Sequence, residues 1–266
     1  MDMFISFRGG KIHYTDSGKG VVIVLIHGYL ETMEVWDQFA GNVIKNYRVI
    51  KIDLPGHGQS DLIGVTNTMD IFAGAIKVVL DFLGVRKCFL VGHSMGGYAT
   101  LAFLRLFAEY LSGYCLFHSH PFADPPEVIE KRVKNIKLIE SGKKDEMIPG
   151  FVNGLFAGTN LDLLKEKVEK SLKIASATSE ATIIADLRGM MERPSLSDLV
   201  EAGKVPFLWI LGMMDNHINH LAIQQKVRLP GNSRVVILHN SGHMGFIEEE
   251  DLSVKYLTEF AGSLVI

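Results

Sequence analysis

Cysteine is scarce in this chain of 266 residues. The two cysteines, Cys88 and Cys115, both lie inside apolar runs. A disulfide framework of the kind that stabilises small secreted domains needs more cysteines than this. We therefore predict two buried free thiols and a protein of the cytoplasm.

Long hydrophobic runs are absent as well. The longest covers residues 21–26, whereas a helix that crosses a bilayer needs about 20 apolar residues. The N-terminal sequence MDMFISFRGG has no basic segment followed by a long apolar stretch, which is the pattern of a signal peptide. We predict neither a membrane span nor a signal peptide.

Neither sign of charge dominates the composition. The 27 lysines and arginines nearly balance the 30 aspartates and glutamates, and the formal net charge is -3. Binding of nucleic acid requires a basic patch, and none stands out in this sequence. The Gly-x-Gly at residues 56–58 lacks the spacing of a dinucleotide site. We expect no nucleic-acid partner and no cofactor.

The chain does contain a regular alternation of strand-like and helix-like segments. Several strand-like segments are continuous apolar runs, which are typical of parallel strands buried on both faces. The pattern predicts the α/β class, with a mostly parallel central sheet flanked by helices. The predicted strands are residues 11–18, 21–26, 46–53, 87–92, 113–118, 205–212 and 234–239.

The alternation stops between residues 121 and 203. This stretch has three helical stripes of apolar residues and no predicted strand. It opens with Asp124-Pro-Pro-Glu127, which resembles a capping box with proline at the first helical position. We predict a helical insertion at residues 121–203, which divides a core domain formed by residues 1–120 and 204–266.

The segment Gly-His-Ser-Met-Gly-Gly, residues 92–97, lies between a predicted strand and a predicted helix. In this context the Gly-x-Ser-x-Gly pattern predicts a sharp turn that exposes the hydroxyl of Ser94 as a nucleophile. Glycine at positions 92 and 96 avoids collisions with the neighbouring strand and helix. The backbone N–H of Met95 would then donate to a developing oxyanion. The alternative interpretation is a serine that caps a buried helix.

A serine nucleophile needs a base and a group that orients the base. In an open α/β sheet such groups lie past the carboxyl ends of the strands. Asp215 and His243 each follow a predicted strand, and the order Ser94, Asp215, His243 is the one expected after this kind of turn. We predict His243 as the base and Asp215 as the orienting acid. The alternatives are a solvated loop histidine and a helix N-cap.

The loop after the strand at residues 21–26 reads His27-Gly28-Tyr29. Gly28 lets the backbone approach a reacting group closely, so we predict the N–H of Tyr29 as the second oxyanion donor. We expect His27 to form structural hydrogen bonds rather than to take part in catalysis.

Four other histidines allow further interpretations. His118 and His120 lie two apart on a predicted strand and could form a metal cluster with Asp124. We expect them instead to line a pocket or form structural hydrogen bonds, and we predict no metal. His217 and His220 are three apart at a predicted helix start, where a solvated helix face is the simplest interpretation.

Five segments together carry a resemblance to a known family. They are HGYLETMEVW (27–36), DLPGHGQS (53–60), GHSMGG (92–97), LGMMD (211–215) and SGHMGF (241–246). The chain resembles the α/β-hydrolase superfamily, in the branch with a helical cap. The resemblance implies that residues 121–203 form a cap over the active site. It also implies a structural turn formed by Asp53, Pro55, Gly56, His57, Gly58 and Ser60.

Some positions affect which residue roles and reactions the resemblance implies for this chain. Relatives often carry a proline a few residues beyond the acid, where this chain has Asp215-Asn216-His217-Ile218. Some relatives place the acid after an earlier strand, which makes Asp124 the fallback acid. Haloalkane dehalogenases and most epoxide hydrolases of the superfamily have aspartate at the position of Ser94, so serine favours acyl chemistry.

The predicted function is hydrolysis of a carboxylic ester or a related small acyl compound through a Ser-His-Asp triad and an acyl-enzyme. The expected partner is a small-molecule acyl substrate. Carbon–carbon bond hydrolysis, enol-lactone hydrolysis, thioester cleavage and acyl transfer could use the same three residues. A hydrolase-like ligand receptor is the alternative from another functional class.

Overall fold

The computed structural model describes residues 2–264, which contain one eight-stranded sheet. Its strands are β1 (Met3–Phe7), β2 (Gly10–Ser17), β3 (Val22–Ile26), β4 (Arg48–Ile52), β5 (Cys88–His93), β6 (Leu111–Phe117), β7 (Phe207–Gly212) and β8 (Ser233–Leu238). Their spatial order is β1-β2-β4-β3-β5-β6-β7-β8. The first two strands are antiparallel to their neighbours, and the remaining pairs are parallel. The predicted α/β fold with a mostly parallel sheet is confirmed.

Helices cover both faces of the sheet, and five of them lie between β6 and β7. The helices before β6 are α1 (Asp37–Val43), α2 (Met69–Phe82) and α3 (Met95–Phe107). The helical insertion comprises α4 (Pro126–Glu140), α5 (Lys144–Leu155), α6 (Lys165–Ala177), α7 (Glu180–Glu192) and α8 (Ser197–Glu201). The chain ends with α9 (His220–Gln224), α10 (Gly245–Glu248) and α11 (Glu250–Ser263). Short 3-10 turns lie at Met33–Trp36, Ala108–Tyr110 and Gly158–Asn160.

The centre of the sheet forms the hydrophobic core. Every residue of β5, β6 and β7 is buried, as expected for parallel strands covered by helices on both faces. The thiols of Cys88 and Cys115 are free and buried there, as predicted. Because these strands are fixed on both faces, the loops at their carboxyl ends start from well-defined positions.

The insertion is docked on the core through α7. A Cβ added at Gly189 would lie 1.7 Å from the backbone oxygen of Asn67, so only glycine permits this approach. The side-chain amide of Asn67 donates to the buried carboxylate of Asp186 at 2.7 Å. His57 Nε2 lies 3.1 Å from the other oxygen of Asp186. A buried polar contact and a close backbone approach therefore hold α7 against the core.

Three local expectations differ from the structure. The N-cap of α4 is Pro125, which makes no side-chain cap, so the predicted capping box at Asp124 is wrong. Asp124 binds two arginines instead. The sequence also missed β1 and α5; α5 contains Pro149, which interrupts its helical signal. Among residues 2–264, no helix is both long enough and apolar enough to cross a bilayer.

Candidate active site

The turn between β5 and α3 holds Ser94 in an unusual backbone conformation, with φ 49° and ψ -113°. Such values are rare for a residue with a Cβ, and they persist where the surroundings enforce them. A Cβ at Gly92 would lie 2.2 Å from the backbone oxygen of Gly96, and one at Gly96 would lie 2.5 Å from that of His27. The Ser94 side chain makes no capping hydrogen bond to α3. The geometry fits the strained turn and not a helix cap.

The predicted oxyanion donor Met95 directly follows Ser94, and the predicted donor Tyr29 lies in the loop after β3. Met95 is the first residue of α3, where the backbone N–H groups have no partner within the helix. Tyr29 follows Gly28 and lines the same cavity as Ser94. Among residues 2–264, neither the Met95 N–H nor the Tyr29 N–H has a hydrogen-bond acceptor. Both donors are thus available to a ligand.

The predicted base and acid are joined by a hydrogen bond. His243 Nδ1 lies 2.7 Å from Asp215 Oδ2, and both side chains are buried. The other carboxylate oxygen accepts the backbone N–H groups of His217 at 2.8 Å and Ile218 at 2.9 Å. Burial by itself would raise the pKa of Asp215, but His243 and His118 together hold it well below its usual value. The carboxylate is therefore ionised and held in one orientation.

The imidazole of His243 is poised to accept a proton. Because Nδ1 faces a carboxylate, it carries the hydrogen, and Nε2 keeps its lone pair. Burial is the largest single influence and lowers the pKa of His243, Asp215 raises it, and His93 and His118 lower it again, so that the pKa lies below its ordinary value. His243 and Ser94 line the same cavity. A neutral histidine with a free nitrogen, in the same cavity as a serine hydroxyl, has the chemistry of a general base.

His27 makes the structural contacts expected of it. Its Nδ1 donates to the backbone oxygen of Gly28 at 2.8 Å, and its Nε2 accepts the N–H of Leu54 at 3.0 Å. Burial lowers the pKa of His27 well below its usual value, with His57 adding to the effect. The neutral ring joins the end of β3 to the turn after β4.

His118 and His120 have different partners. His118 Nε2 accepts the N–H of Gly245 at 3.0 Å, and its Nδ1 lies 3.4 Å from Asp215 Oδ2. His120 Nε2 lies 3.2 Å from the Tyr98 hydroxyl. The two rings do not converge with Asp124, so the metal cluster considered from the sequence is not assembled. His118 instead adds a second imidazole beside the predicted triad acid.

His217 is exposed and His220 begins α9, as expected, but the expectation that His217 lies on the helix was wrong. The carboxylate of Asp215 accepts the two following N–H groups, which forms a turn and delays the helix until Asn219 caps α9. The His217 ring therefore enters the cavity, with its centroid 5.1 Å from that of His243 and 5.5 Å from that of Phe151. Partial removal from solvent in the cavity, aided by His243, lowers the pKa of His217 below its ordinary value.

Asp124 lies on the insertion side of the cavity and does not contact His243. Its carboxylate accepts from Arg132 Nε at 2.6 Å and from Arg193 Nη2 at 2.7 Å. The Arg193 guanidinium also stacks on Tyr98, 3.8 Å from the ring centroid. The arginines hold the pKa of Asp124 below its usual value against the opposing effect of burial. The structure therefore does not place the fallback acid in the triad.

The cavity between the two sides has a volume of about 270 Å³. Besides the residues already described, α4 contributes Lys131 and Asn135 to its wall. Lys131 forms no ion pair within the described part of the chain. Two cations, Lys131 and Arg132, thus lie on this wall with one carboxylate, that of Asp124, which Arg193 also binds from outside the cavity lining. No sequence pattern predicted this wall, because a Lys-Arg pair on a polar helix usually forms a solvated face.

Comparisons with known proteins agree on one family. A family model described as the alpha/beta hydrolase family matches residues 23–254. A 2-hydroxy-6-oxononadienedioate/2-hydroxy-6-oxononatrienedioate hydrolase of Paraburkholderia phymatum is 31% identical over 189 residues. That match covers 69% of this chain but only 61% of the relative, so it spans less than two thirds of that protein.

Solved structures match over nearly the whole chain. A thermophilic esterase from Thermogutta terrifontis is 25% identical, with a TM-score of 0.90 over 98% of this chain and 97% of that one. The enol-lactonase of Burkholderia xenovorans is 19% identical, with a TM-score of 0.89 over 98% and 100%. At that identity the second likeness concerns the fold alone.

Proposed function

Because this chain belongs to the alpha/beta hydrolase family, we propose that it is a serine-dependent hydrolase of carboxylic esters or related small acyl compounds. One observation carries the proposal. His243, which is hydrogen-bonded to Asp215, lines the same cavity as Ser94, and Ser94 is held in a strained turn. Packing alone does not require this combination.

In the proposed mechanism, the Ser94 hydroxyl attacks the acyl carbon while His243 Nε2 takes its proton. Asp215 keeps the imidazole in the required tautomer and stabilises the imidazolium. The N–H groups of Tyr29 and Met95 donate to the oxyanion, and loss of one such donor typically costs about 2.7–4 kcal/mol. His243 then protonates the leaving group. A water molecule activated by the same nitrogen releases the acid and restores Ser94.

The helical insertion supplies the remaining wall, and we propose that residues 121–203 act as a cap that selects the substrate. Both α4 and α7 contribute side chains to the cavity. The site on the core carries the chemistry, whereas the lining of the cap determines which acyl group fits. This division of roles also follows from the general finding that one fold can host many reactions.

A second candidate function is hydrolysis of a carbon–carbon bond in a substrate that carries carboxylates. The observation that favours it is Lys131, a cation that lines the insertion wall without an ion-pair partner among residues 2–264, whereas Arg132 on the same wall is paired with Asp124. The Paraburkholderia relative is named for a dioate substrate, a molecule with two carboxylates. A carboxylate beside Lys131 would be stabilised by a charge-assisted hydrogen bond.

Hydrolysis rates with a matched pair of activated esters test both candidates. The pair is p-nitrophenyl butyrate and the hemi-ester mono-p-nitrophenyl glutarate, which differ chiefly in a distal carboxylate. We expect wild-type protein to turn over at least one ester and Ser94→Ala to lose turnover by about 10,000-fold or more. The control is Ser112→Ala, which removes a buried serine hydroxyl outside the cavity.

The outcomes separate the candidates. Equal rates in wild type and Ser94→Ala would contradict the proposed nucleophile. Turnover of esters without cleavage of a 2-hydroxy-6-oxodienedioate would favour the first candidate, and the reverse would favour the second. Labelling of Ser94 by an organophosphonate, read by mass spectrometry, shows a reactive serine independently of the substrate chosen.

A further inference from the structure

One buried pair of side chains, Glu31 and His93, touches three loops of the site. His93 is the last residue of β5 and immediately precedes Ser94. Its Nδ1 lies 2.9 Å from Glu31 Oε2, and its Nε2 lies 2.8 Å from the backbone oxygen of His243. The same carboxylate oxygen accepts the N–H of Gly28 at 2.6 Å. Both side chains are almost wholly buried.

The partners determine the protons on His93. The backbone oxygen of His243 can only accept, so Nε2 carries a hydrogen. Glu31 Oε2 accepts the Gly28 N–H and faces Nδ1, so a charged pair requires a hydrogen on Nδ1 as well. Burial, the largest influence, lowers the pKa of His93, but Glu31 and the two hydrogen bonds outweigh it and raise the pKa. Both ring nitrogens of His93 thus face oxygen acceptors, an arrangement that favours an imidazolium paired with a carboxylate.

The pair contacts the loops that carry the proposed catalytic groups. Gly28 precedes Tyr29, one of the proposed oxyanion donors. The backbone N–H of His243 donates to the backbone oxygen of Leu155 in α5 at 2.6 Å. The backbone oxygen of His243 is bound by His93, so both backbone polar groups of His243 are hydrogen-bonded. The pair thus connects the oxyanion loop, the nucleophile turn and the loop of the proposed base through three hydrogen bonds.

We propose that Glu31 and His93 are positioning residues whose ion pair sets the oxyanion loop against the His243 loop and keeps His243 uncharged. The inference rests on the proposed function for its catalytic meaning, but its electrostatic part can be measured without turnover. The positive ring of His93 lies 5.0 Å from the ring of His243. An adjacent positive charge opposes protonation of His243.

The charged and titratable groups around His93 are few. Besides Glu31 and His243, its ring lies 6.1 Å from the ring of His118, and Asp215 and His27 interact with it electrostatically at longer range. The remaining neighbours, Trp36 and Phe246, are aromatic. Removing the charge of Glu31 is therefore the most direct way to discharge His93.

The test is titration of the ring nitrogens by NMR in protein labelled with 15N-histidine, with Glu31→Gln beside wild type. In wild type both ring nitrogens of His93 should be protonated at pH 7. In Glu31→Gln we expect His93 to lose one proton and the pKa of His243 to rise by on the order of one unit. Single histidine variants assign the resonances. The measurement needs no substrate, so a failure of this proposal can be distinguished from a failure of the proposed function.

Kinetics with an ester substrate supply the second readout. We expect Glu31→Gln to lower kcat by about 10- to 100-fold with little change in KM, because small misplacements in an active site have effects of this size. The acid limb of the pH profile should move to higher pH. Glu31→Asp, which retains the carboxylate, should recover the protonated His93 and part of kcat.

The control is His13→Asn, which breaks another buried histidine–carboxylate pair. His13 Nδ1 lies 2.7 Å from Asp53 Oδ2, and neither residue lines the cavity. We expect this variant to lose stability without any shift in the titration of His243. An unshifted His243 in Glu31→Gln, a neutral His93 in wild type, or an equal shift in His13→Asn would overturn the proposal. If Glu31→Gln does not fold, His93→Gln removes the same positive charge, and the same rise in the pKa of His243 is expected.

Discussion

The two walls of the cavity are built in different ways. On the core wall, Ser94, Asp215 and His243 each lie in a loop just after a strand, and contacts of the backbone fix them. On the insertion wall, Lys131, Arg132 and Asn135 reach the cavity only because they share one face of α4. The core wall is specified over a few residues of sequence, whereas the insertion wall depends on how whole helices dock.

The helices of the insertion differ in how firmly they contact the core. At α7 a glycine contact and the buried Asp186 carboxylate join it to the core. After α5, Glu248 accepts the N–H of Ala157 at 2.8 Å and that of Gly242 at 2.9 Å. Near α4, Asp124 and its two arginines join α4 to the end of α7, which is a contact within the insertion. The wall formed by α4 can therefore vary with the least effect on the catalytic loops.

The largest expected effect separates the two acids. Asp215→Asn should lower kcat by about 10,000-fold, because an amide favours the wrong tautomer of His243. Asp124→Asn, on the insertion wall, should leave kcat within a few-fold of wild type and act mainly on KM. Steady-state kinetics on one ester measure both. A similar loss of kcat in the two variants would mean that the walls are not functionally distinct.

Stability should respond strongly where α7 meets the core. Gly189→Ala would place a Cβ 1.7 Å from the backbone oxygen of Asn67, so we expect the free energy of unfolding to fall by about 3 kcal/mol. Gly150→Ala is the matched control, since its Cβ would meet nothing within 4 Å. An alanine in that helix should raise stability by about 0.5–1 kcal/mol. Urea denaturation of both variants gives the comparison, and equal stabilities would contradict the docking described for α7.

How much the sequence could predict follows the same division. Gly-x-Ser-x-Gly between a strand and a helix identified Ser94, because the strained turn needs glycine at defined positions. Asp215 and His243 followed from their place after apolar strands. These inferences depend on short-range geometry, which a sequence displays directly. The prediction that they form one triad remains to be tested by the variants proposed above.

The residues that sequence reasoning misplaced depend on long-range contacts. Asp124 does not cap α4 but accepts hydrogen bonds from arginines 8 and 69 positions away. No local sequence pattern reveals these partners. His217 lies outside the predicted helix because the Asp215 carboxylate accepts the backbone N–H groups of His217 and Ile218, which forms a turn. Glu31 and His93 went unnoticed for the same reason, since 62 positions separate them. A hydrogen-bonded pair of this kind is visible only after the sheet has brought its loops together.

The pH dependence should reflect the core wall alone. His243 acts as a base only when neutral, so kcat/KM should rise about tenfold per pH unit below its pKa and level off above it. Because burial lowers the pKa of His243, the midpoint should lie below about 6.5, the ordinary value for histidine. His239→Asn, which changes an exposed histidine outside the cavity, should leave the profile unchanged. A midpoint above 6.5 would contradict a neutral His243.

The smallest expected effect concerns the insertion wall. Lys131→Ala removes a cation that lines the cavity, so KM for mono-p-nitrophenyl glutarate should rise several-fold, whereas KM for p-nitrophenyl butyrate should not change. The size is that of an exposed charge interaction, up to about 1 kcal/mol, and it should shrink as salt is added. Lys134→Ala is the control, because Lys134 lies on the same helix but outside the cavity. Equal effects of the two substitutions would indicate general attraction of anions to α4, whereas an effect of Lys131 alone would show that α4 selects the substrate while the core wall performs the reaction.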